Sequence, residues 1–214
     1  MKFDKKKLSL VVSLLFFVGF IWVARGVYSN EAWIMELDYY GNEIFRLDVS
    51  QELTSAIFTF THIGSIRNLL YVGLVICALL LYKKEKSSFL WFGFSMGVAG
   101  GLAPLVMKNV FRRARPTDGL MMRTGYSFPS GHTMGTLAVY GLIMMLAVVY
   151  IKKIWLRYVV MISSLAIILI ISWSRIHLGV HFLSDIIGSM FLGLSLLIVA
   201  WQILMHINQK NEQN

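Results

Sequence analysis

Six apolar runs constrain this chain more than any other feature: approximately Leu8–Ala24, Asn68–Tyr82, Phe89–Met107, Thr133–Tyr150, Tyr158–Trp173 and Ile186–His206. A helix needs about 20 predominantly apolar residues to cross the hydrocarbon core, and runs in the high teens suffice. The second run is short and is expected to start earlier, near Ile63 or Thr54. Of the 214 residues, 57% are hydrophobic and only 14% are charged, too few charges for a water-soluble domain. The expectation is an all-α polytopic membrane protein, one domain over residues 1–214, with six transmembrane helices and five as the alternative count.

Charge placement gives this bundle a direction. Lys2, Lys5, Lys6 and Lys7 precede the first run, and no small-x-small cleavage site follows it, so an uncleaved first span is expected. With the N-terminus cytoplasmic, the inner segments hold those lysines, then Lys83, Lys84 and Lys86, then Lys152, Lys153 and Arg157, then Lys210, as the positive-inside rule requires. The outer side receives Val27–Ile63, where Glu31, Glu36, Asp38, Glu43, Asp48 and Glu52 face only Arg46. Its aromatic residues Trp33, Tyr39, Tyr40 and Phe45 suggest a piece lying at the interface between helices one and two, either a plain outer loop or a flap. The net charge of +9 is therefore explained by topology, and no nucleic-acid partner is expected. The single cysteine, Cys77, excludes an intrachain disulfide and a cysteine-based metal site.

Three polar clusters interrupt the apolar pattern: Lys108 to Arg115-Pro116, then Pro129-Ser130-Gly131-His132, then Ser174-Arg175 with His181 and Asp185. Ionisable groups at membrane depth are costly and are kept for function. The first cluster closes helix three, the second opens helix four, and two spans separate it from the third, so all three are expected on the outer face. Helical spacing would put Lys108, Arg112 and Arg115 on one face, where an anion would relieve their repulsion. Arginine suits phosphate through its planar fork. Ser130 reads as a helix N-cap, Gly131 permits close backbone approach, and free N–H groups at a helix start bind anions. His181 and Asp185 stand four apart, a spacing at which the carboxylate can fix the imidazole tautomer and leave one nitrogen lone pair directed outward.

The combined pattern, Lys-x6-Arg-Pro, Pro-Ser-Gly-His and Ser-Arg-x5-His-x3-Asp, resembles the type 2 phosphatidic acid phosphatases (PAP2), or lipid phosphate phosphatases, over roughly residues 60–205. The size and six-span plan resemble the bacterial membrane members. The resemblance implies a catalytic trio of His181 as nucleophile, Asp185 as its orienting group and His132 as general acid, passing through a phosphohistidine. It implies phosphate binding by Lys108, Arg115, Ser130, Gly131 and Arg175. No metal and no cofactor are expected, since several protein cations can carry the phosphate charge. A bell-shaped pH dependence follows from a neutral His181 and a protonated His132.

The expected substrate is a lipid phosphate met at the outer surface of the cell membrane, undecaprenyl pyrophosphate first and phosphatidylglycerophosphate or phosphatidic acid as the alternative. An anion transporter could use the same cations but has no need for paired histidines. A catalytically dead scaffold would lack a motif residue, and none is missing. The related haloperoxidases are soluble, against six apolar runs here. His177, four before His181, is read as structural or substrate-adjacent rather than as a zinc ligand, and His62 and His206 as interfacial. Arg112, Arg113 and Arg123 are placed near the site, where they could assist a second phosphate. Gly93, Gly97 and Gly101 form a small-residue stripe expected to pack against another helix of the bundle, with Pro104 kinking the same helix.

Overall fold

The computed structural model describes residues 5–46 and 50–213, and every regular element among them is helical. The helices are α1 (Lys5–Tyr28), α2 (Ala32–Phe45), α3 (Gln51–Thr61), α4 (Ile66–Tyr82), α5 (Lys86–Met96), α6 (Ala103–Phe111), α7 (Gly131–Tyr150), α8 (Ile154–His177) and α9 (Leu183–Gln213). Lys2, Asp48 and the side chain of Lys5, all used in the topology argument, lie outside the described residues.

Among the described residues, five helical stretches are long and apolar enough to cross a membrane: Lys6–Tyr28, Lys86–Phe111, Gly131–Tyr150, Ile154–His177 and Leu183–Lys210. The second apolar run is different. Its helix α4 starts at Ile66, capped by Ser65, and meets the preceding helical stretch Gln51–Gly64 at a 46° bend. A sixth span exists only if that bent pair crosses as one. The perimeter carries large apolar side chains in the open, among them Leu15, Trp22, Leu74, Phe94, Leu105, Ile162 and Leu169. Such a surface suits lipid rather than water.

The core is organised around α7. Nearly every residue from Thr133 to Leu142 is buried, because α4, α5, α8 and α9 all pack on it. Phe92, Leu142 and Leu204 are fully buried in one apolar cluster, and Phe20, Phe128 and Met134 occupy a second. Close approach needs small residues: Gly193 of α9 receives Leu137, and Gly141 of α7 receives Leu197. Helix α1 runs along α9, where Ser13 Oγ donates to Ser195 O at 3.0 Å. Trp91 Nε1 ties α5 to Ala200 O of α9 at 2.8 Å.

One expectation about the third apolar run is corrected. Gly93, Gly97 and Gly101 meet nothing within 4 Å of where a Cβ would stand. Gly100, out of phase with that stripe, is the glycine that packs, against Gly135 and Ala138 of α7. Just ahead of Pro104, which sits in the first turn of α6, the backbone passes through a π-helical segment, Gly97–Leu102. The segment expected as an interfacial loop is the pair α2–α3. Helix α2 buries Ile34, Asp38 and Gly41 against the bundle and turns Met35, Tyr39, Tyr40 and Ile44 outward.

Leu142 is 0% exposed at the centre of the larger cluster. Leu142→Ala should cost about 2–5 kcal/mol through lost burial and the cavity left behind, read as a lowered thermal unfolding midpoint in detergent.

Candidate active site

Four helix ends meet at one end of the bundle: the C-termini of α6 and α8 and the N-termini of α7 and α9. Helix α6 stops at Phe111 because Arg112 adopts a left-handed conformation, φ 45°, with its N–H on Lys108 O. This corrects the expectation that Lys108, Arg112 and Arg115 share a helical face. Arg112 is exposed and donates to Asn109 O at 3.1 Å, away from the site. Arg115 lies beyond the helix in an irregular connection to α7.

That connection is fastened by the cations it carries. Lys108 Nζ donates to Tyr126 O at 2.6 Å and Ser127 O at 3.2 Å. Arg115 Nε donates to Gly125 O at 3.0 Å and Nη2 to Tyr126 O at 3.2 Å. Its Nη1 donates to Val180 O at 2.7 Å and stands 3.1 Å from His181 Nε2. Ser130 is the N-cap of α7, its hydroxyl accepting from Thr133 N at 3.4 Å and from Thr133 Oγ1 at 3.2 Å. The Ser130 N–H donates to Ser189 Oγ of α9 at 2.8 Å. A Cβ on Gly131 would meet only Lys108 Cε, at 3.8 Å, so this helix start is open toward the lysine.

The third cluster bridges the turn between α8 and α9. His181 Nδ1 lies 3.1 Å from Asp185 Oδ2, which also accepts from Phe182 N at 3.0 Å. With Nδ1–H donated to the carboxylate, Nε2 keeps its lone pair and accepts from Arg115. Burial pushes the His181 pKa down to about 3; Asp185 pulls it upward, while Arg115 and Lys108 reinforce the fall. Arg175 is 1% exposed, donates Nη1 to Thr61 Oγ1 of α3 at 2.7 Å, and leaves Nε without a partner among the described residues. Thr61 in turn contacts Ser174 Oγ at 2.8 Å. His132 Nε2 is buried and unpartnered among the described residues. Gly64 packs close by, its would-be Cβ 3.5 Å from His132 Cδ2. His132 lies within electrostatic range of His181, Arg115, Arg123 and Arg175.

The third cluster is also gripped by an arginine of the first cluster that the motif does not name. Arg113, expected near the site as an aid to a second phosphate, is engaged by two carboxylates. Its Nη1 donates to Asp185 Oδ1 at 2.7 Å and to Ser184 Oγ at 2.7 Å, and its Nη2 to Asp38 Oδ2 at 2.5 Å. Its guanidinium sits 4.1 Å from the centre of the Phe182 ring. Burial opposes the charge on Arg113, but Asp185 and Asp38 outweigh it and raise its pKa. Asp38 Oδ1 also accepts from Ser184 N at 2.8 Å. Arg46 anchors the end of α2 by pairing with Asp118.

Two recesses flank Arg115. One, of about 430 Å³, is lined by Arg113, Arg115, His181, Asp38 and Tyr39 among others. The other, of about 260 Å³, is lined by Arg115, Thr117, Arg123, Thr124 and Gly179 among others. Lys108, His132 and Arg175 line neither, and Asp185 is fully buried behind His181. Asp38, Thr61, Ser184 and Ser189 were not singled out from the sequence. Only Ser189 had a local signal, four residues after Asp185. His177 is 1% exposed and packs on the Trp173 ring at 5.3 Å, in keeping with a structural role. Among the described residues no three His, Cys, Asp or Glu side chains stand together as a metal site.

Apolar helices whose ends gather two histidines and several cations define a polytopic membrane enzyme of phosphate chemistry. The chain belongs to the PAP2 superfamily, whose family model matches residues 88–209, and it is a phosphatase. It is 29% identical over 185 residues to phosphatidylglycerophosphatase B of Bacillus subtilis strain 168, covering 84% of this chain and 88% of that one. The crystal structure of a transmembrane PAP2-type phosphatidylglycerolphosphate phosphatase from Bacillus subtilis superposes with a TM-score of 0.81 at 25% identity, covering 92% of this chain and 96% of that one. LpxE of Aquifex aeolicus shares the fold at a TM-score of 0.55 and 18% identity, covering 75% and 92%.

His181 should stay neutral where an ordinary histidine, of pKa about 6.5, titrates. The imidazole ¹⁵N shifts of His181 are expected to remain those of a neutral ring from roughly pH 5 to pH 8. A midpoint near 6.5 would contradict the buried, Arg115-capped geometry. Asp185→Asn removes a group that favours the charged form, so the ring should stay neutral at least as far down in pH.

Proposed function

We propose that this membrane phosphatase hydrolyses a lipid phosphate through a phosphohistidine on His181, with phosphatidylglycerophosphate as the substrate. The alignment of Asp185, His181 and Arg115 carries the proposal: a carboxylate behind one nitrogen, a guanidinium at the other. His181 Nε2 attacks phosphorus, the bond from phosphorus to the lipid oxygen breaks, and His132 gives that oxygen its proton. Water then attacks the phosphohistidine with His132 as base, the N–P bond breaks, and inorganic phosphate leaves. Lys108, Arg115 and Arg175 balance the phosphoryl charge, with Ser130 and the Gly131 backbone at the start of α7 as hydrogen-bonding partners.

The similarity to a phosphatidylglycerophosphatase in both sequence and fold supports this substrate over the undecaprenyl pyrophosphate expected from the outward-facing site. Charge supports a headgroup with more than one phosphate in either case. Arg123 makes no ion pair among the described residues, yet lies in electrostatic range of Arg115 and Arg175 beside the smaller recess. Undecaprenyl pyrophosphate therefore stands as the second reading, and phosphatidic acid, with one phosphate, fits less well.

An extracytoplasmic site with cytoplasmic termini is part of the proposal. The site lies at one end of the bundle, while Lys6 and Lys7, Lys83 and Lys84, Lys152 and Lys153, and Lys210 mark helix ends away from it. That asymmetry is the one by which positive-inside topology is read.

His181→Ala should abolish phosphate release from phosphatidylglycerophosphate in mixed micelles, and wild-type protein quenched during turnover should carry acid-labile phosphate. Undiminished release by that variant refutes the nucleophile assignment. Arg123→Ala should raise KM about tenfold for lipids bearing two phosphates, the size of one lost charge-assisted contact, and leave phosphatidic acid within about twofold. Equal effects on both would remove the second-phosphate argument.

A further inference from the structure

Asp38 belongs to α2, which lies outside the helices that carry the three clusters, yet it is 7% exposed and both its oxygens are engaged. Oδ1 accepts from Ser184 N at 2.8 Å, and Oδ2 from Ser184 Oγ at 3.0 Å and Arg113 Nη2 at 2.5 Å. Arg113 uses its other terminal nitrogen on Asp185 Oδ1 at 2.7 Å. The two carboxylates thus hold one guanidinium between them, and the guanidinium holds the carboxylate that faces His181. The fork is planar and rigid, so its position at Asp185 is fixed by what its far end grips.

We propose that Asp38 and Arg113 are positioning residues, through which α2 sets the orientation of Asp185 and hence of His181. The proposal rests on His181 acting as the nucleophile. Without the Asp38 carboxylate, Nη2 loses its charged acceptor, and the guanidinium gains by turning both terminal nitrogens onto Asp185 in a bidentate pair. That pair competes for the carboxylate against the 3.1 Å contact from His181 Nδ1, the longest of the contacts Asp185 makes. The imidazole then loses its fixed tautomer and its aim. A displacement of about 1 Å in a reacting group can cost about 10²-fold in rate.

A direct effect of Asp38 on substrate has the opposite signature. Asp38 lines the larger recess, and an anion there repels a phosphate headgroup. If that were its whole influence, Asp38→Asn would lower KM and leave kcat alone. A helix staple with no bearing on alignment would lower the unfolding midpoint and leave kcat of the folded protein alone.

The test uses the full chain in mixed micelles with phosphatidylglycerophosphate, measuring kcat, KM and the thermal unfolding midpoint. Asp38→Asn is expected to lower kcat by about 10- to 100-fold with KM within about threefold. Arg113→Lys keeps the charge but cannot bridge both carboxylates, and it should lower kcat similarly. Because Asp38 acts through Arg113, the double variant should be no slower than Arg113→Lys alone. Glu36→Gln, on the exposed face of the same helix, should change nothing.

Wild-type kcat in Asp38→Asn, a change confined to KM, or losses that multiply in the double variant would overturn the proposal. Should Asp38→Asn fail to fold, Arg113→Lys decides: retained kcat overturns it, and a kcat loss at a wild-type unfolding midpoint supports it. Activity surviving in His181→Ala would instead remove the nucleophile reading beneath it, a result distinct from a dead His181→Ala alongside a fully active Asp38→Asn.

Discussion

A single carboxylate, fully removed from solvent, holds this site together. Taking a charge out of water costs several kcal/mol unless partners replace the lost hydration. Asp185 has three: the Phe182 N–H, the His181 ring and the Arg113 guanidinium. They come from two separate parts of the chain, the α8–α9 turn, which holds His181 and Phe182, and the connection after α6, which holds Arg113. Asp185 therefore fixes where those parts stand relative to one another. Its own backbone carbonyl extends the reach, accepting from Ser189 Oγ at 2.6 Å, while Ser189 Oγ accepts from the Ser130 N–H at the cap of α7.

Charge around that carboxylate does not cancel. Asp185 and Asp38 face Arg113, while Lys108, Arg115 and Arg175 form no ion pair among the described residues. Those three spend their donors on backbone carbonyls and on Thr61, which orient them without neutralising them. A region with surplus positive charge, walled by apolar helices, strengthens every interaction with an arriving anion. A buried His181 kept neutral by its surroundings is compatible with that surplus, because a protonated imidazole would add one more like charge.

The sequence made some of this legible and hid the rest for a definite reason. Linear motifs named Lys108, Arg115, Ser130, Arg175, His181 and Asp185, and helix parity put them at one end, because two spans separate the second cluster from the third. The Ser130 cap and the His181–Asp185 contact follow from spacings of three and four residues, which local geometry dictates. Spacing failed where the helix itself ended: the left-handed Arg112 turns the chain before Arg115 can share a face with Lys108. The glycine stripe failed because small residues permit contact on a face without saying which face the neighbour takes, and Gly100 took it. Asp38 and Thr61 were hidden altogether. Each makes its contact across more than a hundred residues of chain, and each sits in a segment whose composition reads as an outer loop.

Arg115 links the resting geometry to the proposed chemistry. Its Nη1 donates both to Val180 O and to the His181 nitrogen whose lone pair would attack phosphorus. A neutral imidazole nitrogen is a weaker acceptor for a guanidinium than a charged phosphate oxygen, since charge-assisted hydrogen bonds are roughly twice as strong as neutral ones. A phosphate entering beside Arg115 would therefore draw the guanidinium onto itself, and the same movement would uncover the Nε2 lone pair. In the proposed mechanism, binding and activation of the nucleophile would then be one event, which an uncharged headgroup would not trigger. On this account selectivity for phosphorylated lipids would begin at the nitrogen proposed to do the chemistry, before any contact with the rest of the headgroup or the tail.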